Sequence, residues 1–217
     1  MAVILPNIEL KAGTEYNSCK YDIVHQSLFQ TPLFEIHIDD IDNRELEKNI
    51  YNLRDTTEGV CFSNRGGWHS LIQALHAQNN HKMDDTFKPF TDKLEDILYT
   101  LPFEPKVHRL NDMSIWANIN PKGSYNTAHD HPGCDLSGVY YVKVPKGECG
   151  NIAFNDPRSA LTYGNSFVVE RYVGGDSIPR FPIEGNMYIF PSSLKHDVST
   201  NQTNEDRISL SFNLILD

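Results

Sequence analysis

The hydrophobic period of this chain changes at Pro102, and that change limits the possible folds more than any single motif. Before Pro102, apolar residues recur at helical spacing; after it they alternate, in short runs broken by Gly, Pro, Asn and Asp. Upstream, Leu33–Ile38 reads as a first strand. Asp42-Asn43-Arg44-Glu45 has the form of a capping box, and Leu46, Ile50 and Leu53 continue it as a helix over about 43–55. Ser70 is placed to cap a second short helix through about Gln78. Phe87, Phe90, Leu94, Ile97 and Leu98 form the buried stripe of a third, which starts near Thr86 because Pro89 fits only a first turn. Downstream, strands are expected over 114–120, 137–144, 151–154, 166–172, 186–190 and 207–216. The class is mainly β with α: a sandwich or barrel with helices against one sheet. One domain over 1–217 is expected, with 1–109 mostly helical support and 110–217 the β core.

The last strand carries the sharpest pattern. Ile208, Leu210, Phe212, Leu214 and Leu216 share one face, and Arg207, Ser209, Ser211 and Asn213 share the other. A two-layer protein usually turns such a polar face to water. The helices, however, need an apolar sheet surface to cover. That favours the inverted arrangement, in which the polar face looks into a barrel mouth holding a charged ligand.

Charge and cysteines narrow the function. A formal charge of -10 over 217 residues, with no Lys/Arg run, argues against nucleic acid as partner. Cys19, Cys61, Cys134 and Cys149 match no zinc-ribbon or CxxC spacing, so a reducing cytoplasm is expected, with no membrane association. A small-molecule or peptide substrate is the expected partner, and a homodimer is left open.

Metal-ligand chemistry is concentrated in Asn126-Thr127-Ala128-His129-Asp130-His131-Pro132-Gly133. On an extended strand, residues two apart project from the same face, so His129 and His131 can reach one point. His196 supplies a distant third imidazole, and Arg207 follows it by eleven residues. Three protein nitrogens leave open positions on an octahedral Fe(II). A planar guanidinium with a hydroxyl two residues on, Arg207 and Ser209, suits the distal carboxylate of 2-oxoglutarate. This is the layout of a non-haem iron oxygenase using Fe(II), 2-oxoglutarate and O2, which hydroxylates its substrate and releases succinate and CO2. The commoner pattern is His-x-Asp/Glu. Asp130 is therefore the alternative to His131, although on an extended strand it points to the opposite face.

The same blocks resemble the 2-oxoglutarate-Fe(II) oxygenases of marine bacteria and cyanophages, distantly similar to prolyl 4-hydroxylases. The resemblance rests on Trp116-Ala117-Asn118-Ile119-Asn120, His129-x-His131-Pro132-Gly133, Leu136-Ser137-Gly138-Val139-Tyr140-Tyr141 and Asn155-Asp156-Pro157-Arg158. It continues through Phe190-Pro191-Ser192-Ser193-Leu194-x-His196 and Arg207-Ile208-Ser209-Leu210-Ser211-Phe212-Asn213. It implies a double-stranded β-helix, or jelly roll, flanked by N-terminal helices, and it favours His131 over Asp130 as ligand. Tyr141, Asn118 and Asn126 are candidates for hydrogen-bonding the cosubstrate. Trp68, Arg65 and Arg158 are candidates for the substrate side. The other histidines, His69 among them, show no ligand pairing and read as surface or satisfied core.

Two other classes compete. A three-histidine cupin-like dioxygenase that uses no oxoacid has no need of Arg207. A non-catalytic β-sandwich, of virion or carbohydrate-binding type, would be marked by a lost ligand or a lost Arg, and both are present.

Overall fold

The computed structural model describes residues 30–74, 83–102, 110–157 and 177–217. The expected strand at 166–172, Arg158 and the histidines at 25, 76, 81 and 108 lie outside the described residues. Thr31–Asp217 forms one unit. Its elements, in chain order, are β1 (Phe34–His37), α1 (Asn43–Thr56), β2 (Asn64–Arg65), β3 (Trp68–His69), β4 (Gln73–Ala74) and α2 (Lys88–Leu98). After these come β5 (Leu110–Asn120), β6 (Tyr125–His129), β7 (Leu136–Lys143), β8 (Ile152–Asn155), β9 (Ser177–Arg180), β10 (Asn186–Pro191), β11 (His196–Val198) and β12 (Arg207–Leu216).

Two antiparallel sheets result. The larger runs β1-β10-β7-β12-β5-β3, with β4 also on β5; the smaller runs β2-β6-β11-β8-β9. This is the architecture expected of a double-stranded β-helix. The N-terminal half does more than lend helical support, because β1 to β4 add strands to both sheets. Among the described residues, no helix is long and apolar enough to cross a membrane.

Alternation along the central strands explains how the layers stack. Ile208, Leu210, Phe212 and Leu214 of β12 join Met113, Ile115, Ala117 and Ile119 of β5 in one buried cluster. Leu46 and Ile50 of α1 and Phe90, Leu94 and Leu98 of α2 close that cluster from outside. The helices therefore cover the outer face of the larger sheet. The intervening residues Val139, Tyr141, Tyr188 and Phe190 turn inward and meet Ile152, Phe154 and Leu194 in a second cluster. Gly138 is required where β7 passes under Phe212: a Cβ there would collide with the Phe212 ring and the Tyr188 carbonyl.

Both expected long helices form. The Asp42 carboxylate accepts from the Arg44 and Glu45 amides at 3.1 Å each, an N-cap worth about 1 kcal/mol. In α2, Pro89 lies in the first turn. The helix expected after Ser70 does not form in the described residues up to Ala74. The Ser70 amide instead donates to the Ala117 carbonyl at 2.9 Å, and the Ala117 amide donates to Ser70 Oγ at 3.0 Å. Ser70 thus continues the edge of β5, and β4 follows on the same strand. Pairing along an existing strand edge satisfies these polar groups, which a short uncovered helix would leave to water.

Candidate metal and cosubstrate site

Pairing between β6 and β11 builds the centre. His196 is opposite His129 in register, and His131 continues from the end of β6. Ligand atoms of His129, His131 and His196 lie within 4.8 Å of one another. Backbone carbonyls set the tautomers of two of them. His129 Nδ1 is 2.8 Å from the Thr127 carbonyl, and His196 Nδ1 is 2.9 Å from the Leu194 carbonyl. A carbonyl only accepts, so each Nδ1 carries a proton and Nε2 is the nitrogen left for a ligand; that of His129 lies 3.4 Å from Ser63 Oγ. His131 is held from behind: its amide donates to the Ser192 carbonyl at 2.9 Å, and its ring bonds to the Asn213 side chain. Ser137 Oγ donates to Asn213 Oδ1 at 2.8 Å, which fixes that amide in turn. Such outer partners orient the imidazoles that they touch.

Burial lowers the pKa of His131 to about 4 and of His196 to about 3, in both cases with help from the neighbouring histidines. Both rings are therefore neutral at pH 7, the state that a metal requires. Asp130 is exposed and stands outside the ligand cluster, at the rim of the same cavity. Three imidazoles, two with a carbonyl fixing the distal nitrogen, suit a divalent first-row ion such as Fe(II).

That cavity has a volume of about 380 Å³. Its floor is the polar face of β12, so the inverted arrangement holds. Cross-strand register puts Ser209 between Asn118 of β5 and Tyr141 of β7, and places Arg207 opposite Asn120. Arg207 is 2% exposed and Ser209 is 6%. Arg207 Nη1 donates to the Cys149 and Gly150 carbonyls, both at 2.9 Å, and its Nε has no partner among the described residues. No carboxylate among the described residues pairs with it, and burial lowers its pKa. Gly150, at φ +95°, makes this seat possible, since a Cβ would strike Arg207 Nη1 and the Ser199 carbonyl. A buried cation without a counter-ion is costly. A dianionic ligand would supply what is missing, so the residues fit 2-oxoglutarate.

The remaining candidates separate. Asn118 and Asn126 line the cavity; Asn118 Nδ2 donates to Ser211 Oγ at 3.0 Å, and Asn126 Nδ2 to Ser63 Oγ at 3.2 Å. Tyr141 also lines it, with burial raising the pKa of its hydroxyl. Trp68 and Arg65 do not. They border a different depression with Arg54 and Asp206, and Arg65 Nη1 holds its own turn through the Phe62 carbonyl at 2.8 Å. Other parts of that segment reach the cavity instead: Phe62, Ser63, His69 and Ile72. Nothing in the sequence marks these four, because their position depends on two-residue strands. Ser211 and Asn213, by contrast, lie on the polar face that the alternation of β12 already defines.

Comparison with known proteins places this geometry. Residues 114–213 match the family described as "Putative 2OG-Fe(II) oxygenase". No curated protein sequence matches the chain. Among solved structures, a prolyl-4-hydroxylase from Pseudomonas putida superposes with a TM-score of 0.54 at 14% identity, covering 84% of this chain and 91% of that one. A Trichoplax adhaerens prolyl hydroxylase, in complex with a hypoxia inducible factor peptide fragment, gives 0.60 at 12%, covering 84% and 83%. The viral collagen prolyl hydroxylase of Paramecium Bursaria Chlorella virus-1, in its 2OG complex, gives 0.51 at 11%, covering 84% and 94%. At such identities the likeness establishes the fold, a double-stranded β-helix. The family match spans all three histidines and Arg207, and together with the histidine cluster it supports a 2-oxoglutarate-dependent dioxygenase that uses Fe(II), 2-oxoglutarate and O2.

Proposed function

We propose that His129, His131 and His196 hold the Fe(II), that Arg207 and Ser209 receive the distal carboxylate of 2-oxoglutarate, and that the chain hydroxylates a substrate C–H bond. The observation that carries this reading is the buried Arg207 guanidinium, which faces the histidine cavity with no carboxylate of its own among the described residues. When bound, the metal supplies the redox chemistry that couples decarboxylation of 2-oxoglutarate, giving succinate and CO2, to insertion of one oxygen atom into the substrate.

The chain's own residues bind, orient and exclude water. The Thr127 and Leu194 carbonyls keep the Nε2 lone pairs of His129 and His196 directed away from the backbone. Asn213 and Ser137 steady His131, and Trp116 stacks on its ring at 5.8 Å. Arg207 and Ser209 fix one end of the oxoacid, with Asn118 and Tyr141 across the neighbouring strands. Val139, Ile152, Phe190 and Val198 line the cavity with apolar surface, which strengthens electrostatic contacts inside. The unit Thr31–Asp217 works as one catalytic domain in this reading, and the free Cys61, Cys134 and Cys149 support a reducing compartment such as the cytoplasm.

Anaerobic addition of Fe(II) and then 2-oxoglutarate tests the assignment through the weak visible metal-to-ligand charge-transfer band. The band should form in the parent. His131→Ala should lose most of its iron, and Asp130→Ala should keep it. Full iron stoichiometry in His131→Ala would remove that residue from the ligand set.

A further inference from the structure

The cavity is chemically lopsided. Arg207 is the one Lys or Arg lining it among the described residues, and the reading above commits that cation to the oxoacid. Beside the β12 floor, beginning on β5 and β3 of the same sheet, a ladder of rings runs outward from the histidine cluster. His131 faces Trp116 at 5.8 Å, Trp116 stacks on His69 at 5.5 Å, and His69 meets the edge of Phe62 at 5.3 Å. The ladder ends in solvent: Phe62 is 59% exposed, and Ile72 beside the cavity is 48% exposed. Beside the hydroxyl and amides of Ser63, Asn118 and Asn126, two groups here present only an acceptor. His69 Nδ1 is 2.6 Å from the Ser70 carbonyl, so its proton is fixed there and Nε2 offers a lone pair. No described residue donates to that nitrogen, and burial lowers the ring's pKa, which keeps it an acceptor. The second acceptor is Asp130, the one carboxylate lining the cavity among the described residues.

We infer that the substrate is a cation on an apolar stem, an ammonium or guanidinium group received by Asp130 and His69 while its carbon body lies against Phe62, Ile72 and Trp116. This rests on the iron and oxoacid assignment, because Arg207 must be occupied for the rest of the cavity to lack a cation. Among the described residues an anionic substrate finds no second cation in the cavity, meets Asp130 at the rim, and approaches a chain of formal charge -10. A neutral substrate without a donor fills the apolar wall and leaves the buried His69 acceptor unmatched, which costs affinity. The position of Asp130 between two iron ligands gives it a role other than ligation: its exposed carboxylate holds the charged end of the substrate while a stem carbon faces the histidines.

Three probes of similar length test the inference by calorimetric titration into the anaerobic protein loaded with Fe(II) and 2-oxoglutarate. They are N-acetyl-lysinamide, N-acetyl-norleucinamide and the N-acetyl α-amide of 2-aminoadipate, which end in a cation, a methyl group and a carboxylate. The lysine probe should bind about tenfold tighter than the neutral one, as a charge-assisted contact predicts, and the anionic probe weakest. Asp130→Asn should flatten the series, and Asp130→Lys should invert it, an outcome that misfolding cannot produce. His69→Phe keeps the ring stack and removes the acceptor, so it should weaken the lysine probe alone. Equal binding of all three probes, no saturable binding of the lysine probe, or an unchanged order in Asp130→Lys each overturns the inference. The charge-transfer band separates the two readings: without it the cosubstrate assignment fails, and with it only the substrate class is at stake.

Discussion

Replacing Arg207 with Gln removes the charge and leaves an amide two bonds short of Nη1, so the Cys149 and Gly150 carbonyls lose their donor. Two effects follow. The ligand-free protein loses a buried cation that has no counter-ion among the described residues, which offsets the two lost hydrogen bonds, so its stability should stay nearly level. The oxoacid loses a charge-assisted hydrogen bond worth about 1.5–3 kcal/mol, so its affinity should fall roughly 10- to 150-fold. Thermal unfolding under argon with Fe(II) reads both at once. At an oxoacid concentration of about 100 times the parent's Kd, binding adds ~2.7 kcal/mol to the parent. For a variant weakened a hundredfold, the same concentration adds only ~0.4 kcal/mol. At about 2–4 °C per kcal/mol for a chain of this size, the oxoacid should raise the parent's Tm by roughly 5–11 °C and the variant's by roughly 1–2 °C. Iron content should match in the two proteins. An undiminished Tm shift in Arg207→Gln would refute the anchor, and a loss of iron together with the shift would show that Arg207 supports the metal centre instead.

Other perturbations probe the surroundings. Gly150→Ala must accommodate a Cβ at positive φ against the Arg207 guanidinium, so it should lower both oxoacid affinity and Tm, whereas Gly147→Ala, with only Thr203 nearby, should cost the backbone strain alone. Phe212→Ala should destabilise the chain by about 3–5 kcal/mol in urea unfolding, because its ring is fully buried between α2 and β7. In the metal-free protein, His131 and His196 have folded pKa values of about 4 and 3, below the unfolded value near 6.5. Below about pH 6.5 the unfolded chain takes up protons that these rings refuse, so stability should fall steadily toward pH 4 and be full above pH 7; a shallower profile in His131→Phe/His196→Phe, with the buried His69 supplying what remains, would confirm the source. His37 runs the other way. Its Nδ1 is 2.6 Å from Asn186 Oδ1 and its Nε2 2.9 Å from Asp39, which raises its pKa. The β1–β10 contact should therefore be firmest below pH 6.5 and weaken as pH rises through the raised value, with the His37 ring titrating above 6.5 by NMR.

How much of this could be read from the residues varied with the length of each pattern. β12 declared both faces because ten alternating residues leave little choice, and its partners β5 and β7 repeat the same rhythm. α1 and α2 were legible from a cap and a stripe. The metal ligands needed only the His-x-His spacing and a distant partner. What escaped was tertiary in origin. β2, β3 and β4 are two residues each, too short for any period, and they exist because β5 and β6 offer open edges. His69 therefore looked like an ordinary core histidine. Its place beside Trp116 follows from pairing with Asn118, forty-nine positions away. Trp68, its neighbour in sequence, points out of the same strand into another depression.

The strict division of labour along β12 sets a reading frame for mutation. Even positions from 208 to 214 carry the fold, and odd positions from 207 to 213 carry the chemistry. Substitutions at odd positions should damage binding with little loss of folding, and substitutions at even positions the reverse, giving a mutational scan a two-residue beat. Inserting or deleting one residue within the strand is a different kind of lesion. It exchanges the parities, driving Arg207 and the serines under the helices and pushing Phe212 into the cavity. No single compensating substitution can undo that. A two-residue insertion preserves the beat and only slides the register. Length changes in the 199–206 loop, outside the paired register, should therefore be tolerated far better than any one-residue change inside β12.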